Sequence, residues 1–152
     1  MTGRTGTPKD RPLSTTVASK ATMPSGSPTT SSNSCVRKWP RRETVLHEAR
    51  ALAGRWLLQP GTLAIGCFGS VARGDWGFGS DLDLLVIVQH ASRPFAERPL
   101  DWPTSGLPVP ADLLVYEAGE WADLMSGQSR FARTLNREAL WLAGSPPPLT
   151  ER

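Results

Sequence analysis

The sequence predicts an α/β (α+β) domain, and three observations carry that expectation. Apolar runs of strand length recur at 62–68, 82–89 and 111–117. Segments with helical spacing of apolar residues lie before, between and after them. Finally, 14 Gly and 14 Pro in 152 residues interrupt the chain too often for a long helical bundle or coiled coil.

Taken in order, residues 1–34 come first, rich in Ser, Thr, Pro and Gly, with no aromatic residue and no apolar period. Such a segment buries too little surface to offset its ordering entropy, so a disordered tail is expected there. Its acid-poor, Ser/Thr-rich character also resembles an organelle transit peptide, although a solvated tail is the simpler reading. All six tryptophans lie beyond it, which places the folded domain at 35–152. Within the domain, 41–58 carries Val45, Ala49, Leu52 and Trp56 on one stripe, a helix stopped by Gln59-Pro60-Gly61. A strand follows at 62–68, and Gly69-Ser70 opens a short helix to about Arg73. The run 82–89, Leu-Asp-Leu-Leu-Val-Ile-Val-Gln, is apolar at nearly every position, as a strand buried on both faces must be. Pro94, Pro99, Pro103, Pro108 and Pro110 then forbid a long helix over 90–110, predicting an ordered loop. A third strand at 111–117, helices at 120–125 and 130–137, and a short strand or helix end at 139–143 complete the chain.

The formal charge of +3 suggests a nucleic-acid partner until the charges are located. Residues 1–34 hold Arg4, Lys9, Arg11 and Lys20 against Asp10 alone, and the rest of the chain carries 13 residues of each sign. The domain is therefore neutral, and a generic cationic nucleic-acid face is not supported. No apolar run approaches the ~20 residues of a membrane span, and no secretory signal opens the chain. Two cysteines, Cys35 and Cys67, make no disulfide framework and read as reduced thiols of a cytoplasmic protein.

The chemistry concentrates between 69 and 112. Asp81 and Asp83 stand two apart at the mouth of a strand, so both side chains leave the same face. Carboxylates that close repel one another in an apolar setting unless a cation lies between them. Oxygen-only ligands suit Mg²⁺, which completes its shell with water and phosphate oxygens. Asp112 begins the next strand and joins the pair if the register allows. Alone, Asp-x-Asp would be a solvated strand end. It is accompanied by Gly69-Ser70, where a helix start offers free N–H groups and a hydroxyl to a phosphate, and by Arg73 one turn on, within reach of a phosphate oxygen or of a surface carboxylate.

The stretch Gly69-Ser-Val-Ala-Arg-Gly-Asp-Trp-Gly-Phe-Gly-Ser-Asp-Leu-Asp-Leu84 resembles the signature of the DNA-polymerase-beta-like nucleotidyltransferase superfamily, and most of all its minimal nucleotidyltransferases. Pro108-Val-Pro-Ala-Asp-Leu-Leu-Val-Tyr116, followed by Glu120-Trp121, is similar to that family's third-carboxylate strand and following helix. The resemblance spans about residues 41–143 and implies a small mixed β-sheet flanked by helices. It implies that Gly69 and Ser70 bind nucleotide phosphates and that Asp81, Asp83 and Asp112 are catalytic, metal-binding acids for two Mg²⁺ ions. The implied reaction moves NMP, with ATP the favoured donor, onto an acceptor hydroxyl, and pyrophosphate leaves. An antitoxin-like enzyme acting on a partner protein is the implied role. The alternatives are a small-molecule (antibiotic) nucleotidyltransferase and a catalytically vestigial toxin-binding module. Three intact carboxylates speak against the last. The shortness of the chain favours a protein acceptor, since little surface is left to enclose a small one.

Other residues earn plainer readings. Arg42-x₄-His47 matches by spacing the Arg-to-His motif of the HEPN ribonucleases, an all-helical family, and is read as chance, with His47 on the helix surface. His90 ends the second strand, near the presumed site, and is read as structural. Tyr116, Trp121 and Trp141 are expected in the core or at its rim, Cys67 in the core, and Asp75 beside Arg73. The turn Trp76-Gly-Phe-Gly79 is assigned no role. A chain shortened to begin at Cys35 is expected to melt at the same temperature as the full chain and to transfer nucleotide equally well. A large drop in melting temperature would place the domain boundary earlier.

Overall fold

The computed structural model describes residues 38–149. The expected disordered tail at 1–34 lies outside the described residues. Helix α1 (Arg42–Leu57) leads into strand β1 (Thr62–Phe68), the one-turn helix α2 (Ser70–Arg73) and strand β2 (Leu82–Val88). Strand β3 (Ala111–Glu117), helices α3 (Ala118–Ser126) and α4 (Arg130–Glu138) and strand β4 (Leu140–Gly144) follow. The strands form one sheet in the order β3-β2-β1-β4. β1 runs antiparallel to both β2 and β4, while β2 and β3 are parallel, so the sheet is mixed as expected.

β2 is the centre of the packing. Leu84, Val86 and Val88 face α1, meeting Val45, Ala49, Leu52 and Trp56. Leu85 and Ile87 face the other way, into a second cluster with Trp121 of α3 and Leu135 of α4. Helices therefore cover both faces of the sheet, which is why β2 needs an apolar residue at almost every position. Each such side chain stabilises the fold by about 1.5–3 kcal/mol on burial. The second face continues through an aromatic chain, Tyr116 to Trp121 at 6.5 Å and Trp121 to Trp141 at 5.7 Å. Trp141 lies so close over β1 that a Cβ at Gly66 would sit 2.9 Å from its ring, so only glycine fits that position. Cys67 is fully buried in β1, and burial pushes its thiol up to about 11, leaving it an inert core residue.

The proline-rich loop holds a feature absent from the sequence reading, a 3₁₀ helix at Phe95–Asp101 with Pro99 inside it. Pro99 is fifth of the seven residues, and a short 3₁₀ element can do without the one backbone N–H that proline lacks. Two side chains fasten this loop to the core. Trp102 packs edge-on against Trp56 at 5.3 Å. Arg98, 7% exposed, donates to the Val115 carbonyl at 3.1 Å and to both oxygens of Glu120, at 2.6 and 3.1 Å. Glu120 also accepts the Glu117 N–H at 2.9 Å, one half of a reciprocal capping box that starts α3. Among the described residues, no helix is long and apolar enough to cross a membrane.

The Arg98 guanidinium holds the Glu120 carboxyl below its ordinary value of 4.5. A carboxylate whose pKa is depressed on folding stabilises the fold above its unfolded pKa and loses that contribution as pH falls through the folded one. Glu120→Gln is therefore expected to lower the melting temperature at neutral pH. The gap to the unsubstituted protein should close as the pH drops below the ordinary glutamate value, which paired thermal melts across pH would check.

Candidate active site

Three strand ends meet at one edge of the sheet. β1 finishes at Phe68, whose register partner in the antiparallel β2 is Asp83. β2 and β3 start side by side, and their parallel register sets Asp83 opposite Asp112, with the Leu82 N–H donating to the Pro110 carbonyl at 2.9 Å. Neighbouring strands are about 4.8 Å apart, so the two carboxylates leave adjacent positions on one face. Asp81, two residues before Asp83, leaves the same side. This is the face of Leu85 and Ile87, covered further along by α3 and α4.

The chain leaves β1 through Gly69, whose φ of 73° and ψ of −151° lie in a region open essentially to glycine alone. A Cβ there would also overlap the Asp83 carboxylate. One residue thus provides both the sharp turn into α2 and the space for the central acid. α2 is a single turn, closed by the Arg73 N–H on the Gly69 carbonyl at 2.9 Å and the Gly74 N–H on that of Ser70 at 3.0 Å. Its last carbonyls are held from a distance: Arg42, the first residue of α1, donates to Val71 at 2.5 Å and to Ala72 at 3.5 Å. The turn after α2 is pinned to the same place, where the Trp76 indole N–H donates to the Pro40 carbonyl at 2.9 Å.

These elements enclose a cleft of about 410 Å³ lined by Phe68, Gly69, Ser70, Arg73, Asp81, Asp83, Asp112, Thr134 and Glu138. All six residues singled out in the sequence are among them. Burial, then the charges of Asp112 and Asp81, push the Asp83 carboxyl above the usual range, and Arg73 opposes that rise. Arg73 lines the cleft and is engaged at 3.3 Å with Asp75 and at 3.0 Å with Glu138, so the surface-carboxylate reading of it is the one seen. Four carboxylates thus face one guanidinium, and that charge and hard-oxygen donor set fit a divalent cation. Among the described residues, no three acidic, His or Cys side chains are already gathered into a finished metal shell, so ligation would require the carboxylates to turn inward.

Two placements differ from the sequence reading or were missing from it. His90 is exposed and lies beyond the far end of β2, about 20 Å from Asp83 at the strand's rise, not near the site. Strand polarity decides this, because the acids sit where β2 begins and His90 where it has ended. Thr134 and Glu138 went unnoticed. They share one row of α4, at i and i+4, but nothing local in the sequence says which row of that helix meets the acids. His47 is exposed on α1, as expected of a surface residue.

A mixed sheet with helices on both faces thus carries an acid-lined cleft at its strand ends, a donor set suited to phosphate-transfer chemistry. The chain belongs to the nucleotidyltransferase domain family, whose model matches residues 51–135, more than half its length. Among solved structures it is similar to a candidate nucleotidyltransferase from Sulfolobus solfataricus, with 18% identity over 66% of this chain and 80% of that one and a TM-score of 0.47. It is similar also to a toxin–antitoxin structure with AMP-PNP, at 18% identity, 70% and 75% coverage and a TM-score of 0.41. A mutant toxin–antitoxin MntA-HpeT shows 16% identity, 70% and 75% coverage and a TM-score of 0.40. No curated protein matches the sequence significantly.

Gly69→Ala is expected to cost about 1–3 kcal/mol of stability through backbone strain alone, and to lower activity further than that loss explains by displacing Asp83. Denaturant melts beside activity measurements on the still-folded variant would check both.

Proposed function

We propose that this nucleotidyltransferase moves NMP from a nucleoside triphosphate, ATP foremost, to a hydroxyl on a partner protein in a divalent-metal-dependent reaction. The observation that carries the reading is the convergence of Asp81, Asp83 and Asp112 with the Gly69-Ser70 turn on one cleft. Asp81, Asp83 and Asp112 would hold Mg²⁺, which when bound neutralises phosphate charge and makes the acceptor hydroxyl more acidic. Gly69 lets the backbone approach the β- and γ-phosphates, and the Ser70 hydroxyl donates to them. Arg73 offers its remaining N–H donors to the same oxygens while Asp75 and Glu138 hold its plane. The acceptor oxygen attacks the α-phosphorus, the bond to the bridging α–β oxygen breaks, and pyrophosphate departs. Asp112, exposed at the rim, takes the hydroxyl proton.

ATP as donor and an antitoxin-like role rest on the resemblance of the 69–84 stretch to minimal nucleotidyltransferases. A protein acceptor is supported by the position of the cleft, which is bordered by strand ends, α2 and α4 and carries charged side chains over much of its wall. The buried free thiol of Cys67 suits a reducing, cytoplasmic setting.

The test is incubation with Mg²⁺, each α-labelled nucleoside triphosphate and co-purified partner proteins, following pyrophosphate release and intact mass. Added nucleotide monophosphate on a protein supports the reading, and efficient labelling of a small molecule with no protein modified refutes it. Asp81→Asn and Asp83→Asn keep shape and remove charge. They are expected to lower transfer by orders of magnitude while leaving the melting temperature equal or higher, because like-charge repulsion is relieved.

A further inference from the structure

Helix α4 does two jobs on adjacent sectors. Thr134 and Glu138 line the cleft. At 100° per residue, Arg133, Arg137 and Arg130 fall within a sector of about 60° immediately beside that row, on the side away from the buried Ala132 and Leu135. All three are exposed. Arg137 pairs with Glu138 at 2.7 Å, whereas among the described residues neither Arg130 nor Arg133 meets a carboxylate.

This arrangement works against the helix that carries it. The N-terminal end of a helix is the positive end of its dipole and favours acidic side chains. The first turn of α4 has none, and Arg130 opens it, with Arg133 one turn on. The Ser129 side chain, accepting the Ala132 N–H at 3.0 Å, caps the helix without help from charge. Among the described residues neither arginine makes an ion pair that would hold α4 in place, and both lie beside the row of α4 that lines the cleft.

We infer that the Arg130–Arg133–Arg137 face of α4 is the docking surface for an acidic patch on the acceptor protein, next to the hydroxyl that receives the nucleotide. This rests on the reading of the acceptor as a protein. The three arginines span about 10 Å of helix, matching two turns of an acidic helix or a short acidic strand. Charge complementarity of this kind steers the partner and fixes its register more than it adds affinity. The arginine patch is short, and it lies on a domain whose acidic and basic residues balance, which suits a local acidic patch better than a long phosphate backbone. A protein can instead present acids to α4 and a neutral hydroxyl to the cleft.

Fluorescence anisotropy of the full chain with a labelled Glu-Tyr peptide, a Lys-Tyr peptide of equal length and a single-stranded oligonucleotide tests this. The Glu-Tyr peptide is expected to bind best and to weaken as salt rises. Arg130→Glu with Arg133→Glu should weaken it about tenfold, and Arg130→Gln with Arg133→Gln by several-fold. Both double variants should stay folded, since a negative or neutral first turn suits α4 at least as well, and circular dichroism would verify it. Peptide binding that depends on the two arginines upholds the surface even where no protein is labelled in the nucleotide assay, a result that would instead reject the reading of the acceptor as a protein. Equal binding by the double variants overturns the inference, as does tighter oligonucleotide binding that the same substitutions abolish.

Discussion

The parallel pairing of β2 with β3 is the constraint on which the rest of the molecule depends. Its register places Asp83 beside Asp112 at the first turns of two adjacent strands. A slip of one residue would turn Asp112 to the opposite face and carry Leu114 and Tyr116 out of the second core cluster. The same register therefore satisfies the packing of β3 and the convergence of the acids. It is held by burial of β2 on both faces and by the hydrogen bond from Leu82, the first residue of β2, to Pro110 just before β3.

Concentrating negative charge at a sheet edge destabilises that edge, and the surrounding structure shows how it is restrained. Arg42 and Trp76 tie α2 and the following turn to the start of α1, so the backbone beside Asp83 cannot drift. Arg73 bridges α2 to α4 through Glu138, across residues 65 apart in sequence. Glu138 is held below its usual range first by Arg137 and then by Arg73, and it stays ionised in the cleft. Among the described residues no ion pair reaches Asp81, Asp83 or Asp112, and Arg73 acts on Asp83 through its charge alone.

Much of this was legible in the sequence because the signals were local. Gly69-Ser70, the Asp-x-Asp at the head of an unbroken apolar run and the start of β3 at Ala111 each announce themselves within a few residues, and the observed strands begin where expected. The segment at 139–143 fits a strand or a helix end equally by its local pattern, and pairing with β1, which no local pattern reveals, makes Leu140–Gly144 the strand β4. The 3₁₀ helix and the buried Arg98 escaped because prolines argue against any helix, and because an arginine is seldom buried without a partner, here Glu120, that lies 22 residues away. Thr134 and Glu138 were hidden for the same reason, since the rotation of α4 is fixed by Phe131 against Phe68 at 5.8 Å and by Leu135 in the core. His90 is adjacent in sequence to the central strand, but the acids stand at the strand's other end, which only its direction in the sheet decides.

The function proposed above requires the Asp81–Asp83–Asp112 cluster, which the β2–β3 register brings together, to bind a divalent cation. The most direct measurement is the melting temperature in millimolar Mg²⁺ against the same ionic strength of Na⁺, for the unsubstituted chain and for Asp83→Asn with Asp112→Asn. A ligand that binds only the folded protein raises its stability in proportion to the logarithm of its concentration. The expected result is a Mg²⁺-dependent rise in the unsubstituted protein that disappears in the double variant. A melting temperature indifferent to Mg²⁺, or a rise of equal size in both proteins, would contradict it.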